Sequence, residues 1–169
     1  MALGAKMMGS RFNNSDISLI DSRIFVLCSD GDMQEGIASE TASWAGHLGL
    51  GNLIALYDSN DITIAGDAGL AMSEDVGKRF EAYGWHVQHC NGHNHDEIAV
   101  CLEESLSVAN KPSLIVAKTV IGKGAPTKEG TAGSHGAPLG QEEIEAAKLA
   151  SGWNDNCLLY TSPSPRDGD

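Results

Sequence analysis

Short apolar runs alternate with longer amphipathic stretches along most of the chain. The runs at residues 24–28 and 53–57 are uninterrupted, which is typical of strands buried on both faces of a parallel sheet. Residues 85–89 and 113–118 are two further strand candidates with polar or glycine residues at their borders. The pattern therefore predicts four strands, with the first two fully buried.

Helical spacing of apolar residues fills the intervals between these strands. The predicted helices cover residues 2–11, 34–48, 73–82, about 94–109 and about 141–150, and Ser73 is placed to cap the third of them. Residues 122–140 are rich in glycine and predict a long loop. Alternation of strands and helices predicts an α/β fold, an open and mostly parallel sheet with helices on both faces.

Composition narrows the class of protein. With 41% hydrophobic and 20% charged residues, the 169-residue chain has the profile of a globular domain. Its 23 acidic and 11 basic residues give a net charge of -12, the wrong sign for a nucleic-acid partner. No apolar stretch approaches the roughly 18 residues of a membrane span, so we expect no membrane partner and a cytoplasmic location. The four cysteines lack CxxC spacing and predict reduced thiols.

The two ends of the chain differ in character from its body. Residues 157–167 (CLLYTSPSPRD) hold two of the five prolines, show no periodicity, and resemble the translation of a sequencing adapter. We therefore predict a domain over 1–153 and a non-native or disordered tail over 154–169, with a natural Pro/Ser linker as the alternative. The helical composition that follows Met1 without a cap predicts that the domain is truncated at its N-terminus.

Candidate chemistry follows the first two predicted strands. Asp30 comes directly after one strand and Asn60 directly after the next, and a single helical crossover would bring them side by side. Carboxylate and amide oxygens suit Mg²⁺, which often binds together with substrate phosphates. Gly31, without a Cβ, would let the backbone approach a phosphate closely. Asp-Gly and Ser-Asn are also ordinary turn residues, so the pattern alone leaves a plain turn open.

Four segments together resemble the transketolase family. SDGDMQEG and, thirty residues on, YDSNDITI are similar to the thiamin-diphosphate fingerprint, Gly-Asp-Gly followed by Asn. RFEAYGW and GTAGSHGAPLG are similar to segments typical of transketolases. The resemblance covers nearly all of 1–153 and corresponds to most of the family's diphosphate-binding domain, which is only part of a full-length enzyme.

The resemblance implies a cofactor, a metal and their ligands. The expected cofactors are thiamin diphosphate and Mg²⁺, with Ca²⁺ or Mn²⁺ as substitutes. Asp30, Asn60 and the backbone carbonyl of Ile62 would ligate the cation, Asn60 would also belong to the cofactor site, and the amide of Gly31 would bind the diphosphate.

The resemblance also implies roles for residues farther along the chain. Glu35 would act at the dimer interface in communication between cofactors, Ile121 would contact the thiazolium side, and His135 would contact the diphosphate and the reacting end of the substrate. Ser29 replaces the usual first glycine of the fingerprint, and Ala132 stands where many members carry another histidine.

The activity implied by the family is transfer of a two-carbon ketol unit from a ketose phosphate to an aldose phosphate. The implied partners are sugar phosphates and a second subunit in a homodimer. Because the pyrimidine-binding domain is absent, we expect the chain to be inactive alone. A subunit of a split enzyme, a thiamin-diphosphate-binding module and dihydroxyacetone synthase are the alternatives.

Overall fold

A computed structural model describes residues 1–153 of the chain. The tail predicted at 154–169, with Cys157, lies outside the described residues. The helices within them are α1 (Ala2–Phe12), α2 (Asp30–Gln34), α3 (Gly36–His47), α4 (Val76–Ala82), α5 (His95–Ser107) and α6 (Gln141–Ser151). The strands are β1 (Ile24–Ser29), β2 (Leu53–Ser59), β3 (Ile62–Thr63), β4 (Gly66–Asp67), β5 (His86–Asn91) and β6 (Ser113–Lys118).

A four-stranded parallel sheet organises the domain in the order β1-β2-β6-β5. The central strands β2 and β6 carry Ile54, Leu114 and Ile115, whose side chains are fully buried. Ala55 and Leu114 belong to one apolar cluster, and Ile54 and Ile115 belong to another. Since neighbouring residues of a strand face opposite sides, the clusters lie on the two faces of the sheet. The predicted fold class is confirmed.

Helices cover both faces of this sheet. Ala42 of α3 and Phe80 of α4 belong to the first cluster, and Cys101 of α5 belongs to the second. Trp85 joins α3 and α4, because its indole Nε1 donates a hydrogen bond to the Ala42 carbonyl (2.8 Å) and its ring packs edge-on to Phe80 with centroids 5.0 Å apart. Among residues 1–153, none of the helices combines the length and apolar character needed to cross a bilayer.

The prediction that the first strand is buried on both faces is wrong. β1 lies at an edge of the described sheet and pairs only with β2. Phe25, Val26 and Leu27 are 53%, 40% and 82% exposed. An apolar run predicts a strand, but its burial depends on neighbouring elements, and none of those described covers these side chains.

Local capping explains the differences in helix boundaries. α4 begins after Asp75, not at Ser73, because the Asp75 carboxylate accepts the amide of Lys78 (3.0 Å) and so acts as the cap. The helix predicted over 34–48 is interrupted at Glu35, whose extended backbone (φ -71°, ψ 134°) separates α2 from α3. The short antiparallel hairpin of β3 and β4 was not predicted. The other helices begin and end within about two residues of their predicted bounds.

Candidate functional site

Asp30 links the end of β1 to the turn that follows β2. Its carboxylate is only 2% exposed. One oxygen accepts the hydroxyl of Tyr57 at 2.7 Å, and the other accepts the backbone amides of Asn60 and Asp61, each at 3.0 Å. The predicted proximity of Asp30 and Asn60 is therefore present in the fold.

The side chain of Asp30 is held by neutral groups alone. All three donors are neutral groups, and Asp30 forms no ion pair with any residue in the described range. Burial, and then the hydrogen bond to Asp30, raise the pKa of Tyr57 above its ordinary value, which keeps its hydroxyl protonated as a donor. A buried carboxylate with neutral donors alone is a favourable ligand for a cation.

The turn after β2 gathers the other predicted ligands. The side-chain oxygen of Asn60 accepts the amide of Ile62 at 3.0 Å, and its side-chain nitrogen donates to Asp58 at 3.2 Å. Asp61 between them has a positive φ of 64°, a conformation that aspartate tolerates better than most residues. Its carboxylate forms an ion pair with Lys118 of β6. Asn60 and Ile62 thus share one tight turn next to Asp30.

The first turn of α2 leaves space beside its backbone. A Cβ added to Gly31 would meet no other atom within 4 Å. Ser29 donates from both its amide (2.8 Å) and its hydroxyl (3.0 Å) to the Asp32 carboxylate, which fixes the turn between β1 and α2. Serine at this position is therefore accommodated by a local hydrogen bond and does not occupy the space beside Gly31.

A cavity of about 340 Å³ opens beside the carboxylate of Asp30. Its lining includes five acidic residues and His89 of β5; the acidic residues are Asp30, Asp61, Asp67, Glu74 and Asp75. In the described part of the chain, no cluster of three or more His, Cys, Asp or Glu side chains forms a metal site by itself. A cation here would depend on amide and carbonyl oxygens as well as on Asp30.

The remaining predicted residues lie apart from this cavity. Glu35 is exposed at the break between α2 and α3, and Ile121 and His135 are half-buried in the long loop after β6. None of the three lines the cavity beside Asp30, and Gly31, Asn60 and Ile62 are not among its lining residues either. Hydrogen bonds and neighbouring positions in the chain bring Asp30, Gly31, Asn60 and Ile62 together. The roles of these four residues and of Glu35, Ile121 and His135 stay predictions.

The comparisons with known proteins agree with the motifs at this site. The family model of the transketolase thiamine diphosphate binding domain matches residues 1–161. The chain belongs to this family. Transketolase from Geobacillus stearothermophilus is 47% identical over 154 residues, covering 90% of this chain and 23% of that protein. Transketolase 10 from Craterostigma plantagineum is 48% identical over 155 residues, with the same coverage of 90% and 23%.

Solved transketolase structures share the fold. The structure from Campylobacter jejuni has a TM-score of 0.84 at 50% identity and covers 90% of this chain and 24% of its own. A structure of the Pichia stipitis enzyme in complex with sedoheptulose-7-phosphate has a TM-score of 0.87 at 40% identity, with coverage of 90% and 23%. The chain thus spans about a quarter of the length of the transketolases that it matches.

Three hydrogen bonds fix the loop that carries the transketolase-like segment GTAGSHGAPLG. The carboxylate of Glu143 on α6 accepts the amides of Thr127 (2.7 Å) and Lys128 (3.0 Å), and the first of these bonds is the main cause of a lowered pKa at Glu143. The ammonium of Lys128 donates to the Leu139 carbonyl at 2.8 Å. Thr127 and Lys128, just before this segment, are therefore bonded to α6, and Lys128 is also bonded to Leu139 near the end of the segment.

Sequence reasoning missed two residues of this arrangement. Tyr57 ends an apolar run that predicts only a strand, although a hydroxyl at the carboxyl end of a parallel strand is placed where ligands bind. Glu143 lies within the helix predicted over about 141–150, and the sequence assigns it no further role. Its contacts span 15 and 16 positions along the chain, and the sequence carries no local signal of them.

Proposed function

We propose that this chain holds the diphosphate of thiamin diphosphate and its divalent cation at the carboxyl ends of β1 and β2, as part of a transketolase. The buried Asp30 carboxylate, 2% exposed and surrounded by neutral donors only, is the observation that carries the proposal. Membership of the thiamine diphosphate binding domain family supports the identity of the cofactor.

The oxygen atoms of Asp30 and its neighbours are suitable ligands for a hard cation. In the proposal, the Asp30 carboxylate, the side-chain oxygen of Asn60 and the backbone carbonyl of Ile62 hold Mg²⁺, or Ca²⁺ or Mn²⁺ in its place. The amide of Ile62 already bonds the Asn60 oxygen at 3.0 Å, so that side chain is oriented before a cation binds. A cation is also needed because a chain with a net charge of -12 repels a diphosphate.

The backbone at the start of α2 provides for the diphosphate itself. Gly31 has no Cβ, and the space where one would lie is open. A phosphate oxygen could approach the Gly31 amide without a steric barrier, whereas a side chain would occupy part of that volume. We assign Gly31 as the diphosphate contact on this basis.

Thiamin diphosphate, when bound, supplies an electron sink for cleaving the carbon–carbon bond next to a ketose carbonyl. The chain's own residues would position and protect that chemistry. His135 would hold or move a proton between its imidazole and a substrate oxygen. Ile121 would exclude water along the cofactor, and Glu35 would act at the interface with a second subunit.

The proposed reaction is transfer of a two-carbon ketol unit from a ketose phosphate to an aldose phosphate. Structures of the Pichia stipitis transketolase contain sedoheptulose-7-phosphate and xylulose-5-phosphate, which supports sugar phosphates as the substrate class. We further propose a homodimer, and a cytoplasmic enzyme because the cysteines lack disulfide spacing.

A chimaeric enzyme tests this function. Residues 1–153 replace the aligned segment of the Geobacillus stearothermophilus transketolase, to which the chain is 47% identical. We expect ketol transfer from xylulose-5-phosphate, a loss of about 100-fold or more in His135→Asn, and little change in Asp67→Asn. A chimaera that folds and dimerises but neither binds thiamin diphosphate nor transfers a ketol unit would refute the proposal.

A further inference from the structure

Two buried cysteines face each other between the sheet and one of its helices. Cys90 lies near the end of β5 and is 9% exposed, and Cys101 lies in the middle of α5 and is 7% exposed. Both belong to the apolar cluster that contains Ile54 and Ile115. Neither takes part in the proposed cofactor site.

A polar contact fixes the two cysteines against each other. Gln88 precedes Cys90 by two positions and so lies on the same face of β5. Its side-chain nitrogen donates to the Cys101 carbonyl at 3.0 Å and to the Ser105 hydroxyl at 2.9 Å. This turn of α5 is therefore held over the end of β5, where Cys90 and Cys101 pack in the same apolar cluster and line the same cavity.

The pair is accessible to a small reagent. β5 is an edge strand of the described sheet, and a cavity of about 330 Å³ opens next to it. Both cysteines line this cavity together with Glu97 and Val100 of α5 and His89 of β5. A peroxide molecule is much smaller than this volume and can reach both sulfurs without unfolding of the helix.

We propose that Cys90 and Cys101 form an oxidation site, at which a peroxide joins the two thiols in a disulfide that ties α5 to the edge of the sheet. One thiolate attacks a peroxide oxygen, which gives a sulfenic acid and, for hydrogen peroxide, one water after proton transfer. The second thiol attacks that sulfur and releases another water. Two thiols and one peroxide thus give one disulfide and two waters. This inference does not depend on the proposed cofactor site.

The surroundings of Cys90 determine how the rate of this oxidation depends on pH. Burial, and then the neighbouring Cys101, raise the pKa of Cys90 to about 11. The other titratable groups beside the pair are Asp96, Glu97 and His89. Because the thiolate is the reactive form, the rate should rise about tenfold per pH unit between roughly pH 7 and pH 10, whereas an ordinary exposed cysteine levels off above about 8.5.

Peptide mapping of the oxidised chain tests the linkage. The 169-residue protein carrying Cys28→Ser and Cys157→Ser retains only the proposed pair of thiols. It is treated with hydrogen peroxide, blocked with an alkylating agent and cut by a glutamate-specific protease, which cleaves after Glu97 between the two cysteines. Two peptides that remain joined until reduction are the expected product, with the loss of two hydrogen atoms from the intact chain.

Folding must favour the disulfide if the geometry is responsible for it. In a glutathione redox buffer, we expect the effective concentration of the two thiols to be at least about tenfold higher in the native protein than in urea. Cys90→Ser and Cys101→Ser should each end as the sulfenic acid or a mixed disulfide. Equal values with and without urea, or sulfinic acid on unlinked Cys90 in the native protein, would overturn the proposal.

Discussion

Replacing Gly46 by alanine should destabilise the fold sharply. A Cβ at this position of α3 would lie 1.9 Å from the Tyr83 carbonyl oxygen and 2.9 Å from its carbon. The oxygen would have to retreat to the 3.4 Å at which ordinary contact begins, and as backbone it cannot rotate away. Overpacked sites usually lose about 1–3 kcal/mol, and we expect Gly46→Ala to lose about 3 kcal/mol because two backbones must separate.

Gly36→Ala is the matched control. Gly36 opens the same helix, and a Cβ there would meet no atom within 4 Å. Removing a glycine from a helix stabilises it by about 0.5–1 kcal/mol. The free energy of unfolding of this variant should therefore equal or exceed that of the parent chain. Urea denaturation followed by Trp fluorescence measures both. Equal midpoints for Gly46→Ala and Gly36→Ala would refute the close approach of α3 to the turn after α4.

Two further predictions concern the core and the loop after β6. Trp85→Phe should lower the free energy of unfolding by about 2 kcal/mol, because it removes the hydrogen bond to Ala42 and part of a buried ring; thermal denaturation would show no shift if the ring were not a core contact. Glu143→Gln should speed tryptic cleavage at Lys128, since the carboxylate holds the amides of Thr127 and Lys128. The lowered pKa of Glu143 keeps its carboxylate ionised, and so able to accept both amides, at the neutral to alkaline pH at which trypsin acts. Equal cleavage rates for the parent chain and Glu143→Gln would contradict this role.

The sequence predicted those parts of the fold that local patterns determine. The apolar runs located β2 and β6 because central strands are buried by partners on both sides. The same reasoning overstated the burial of β1. Leu27 is 82% exposed, so a run of apolar residues can form a strand without being buried by other described elements. The short helix α2 also escaped prediction, because Asp30, Gly31 and Asp32 are typical turn residues and its five residues show no helical spacing of apolar positions.

The candidate site was predictable where it follows from strand topology. The sequence predicts that Asp30 and Asn60 lie close together, because the carboxyl ends of neighbouring parallel strands share one edge of the sheet. In the structure, the backbone amide of Asn60 donates to the Asp30 carboxylate at 3.0 Å. The bond of Tyr57 to Asp30 spans 27 positions, so the sequence predicts a tyrosine at the strand end but not its partner. The role of His135 rests on the family resemblance and stays a prediction.

Titration of the chain with thiamin diphosphate, with Mg²⁺ and with a chelator, tests the cofactor site most directly. We expect Asp30→Asn to fold, because the new side-chain oxygen can accept the backbone amides of Asn60 and Asp61 and the new side-chain nitrogen can donate to the hydroxyl of Tyr57. Asp67→Asn, on the wall of the same cavity, is the control. We predict binding that requires Mg²⁺, is unchanged in Asp67→Asn and falls about 100-fold or more in Asp30→Asn. Equal affinity for all three proteins, or binding indifferent to Mg²⁺, would contradict the account.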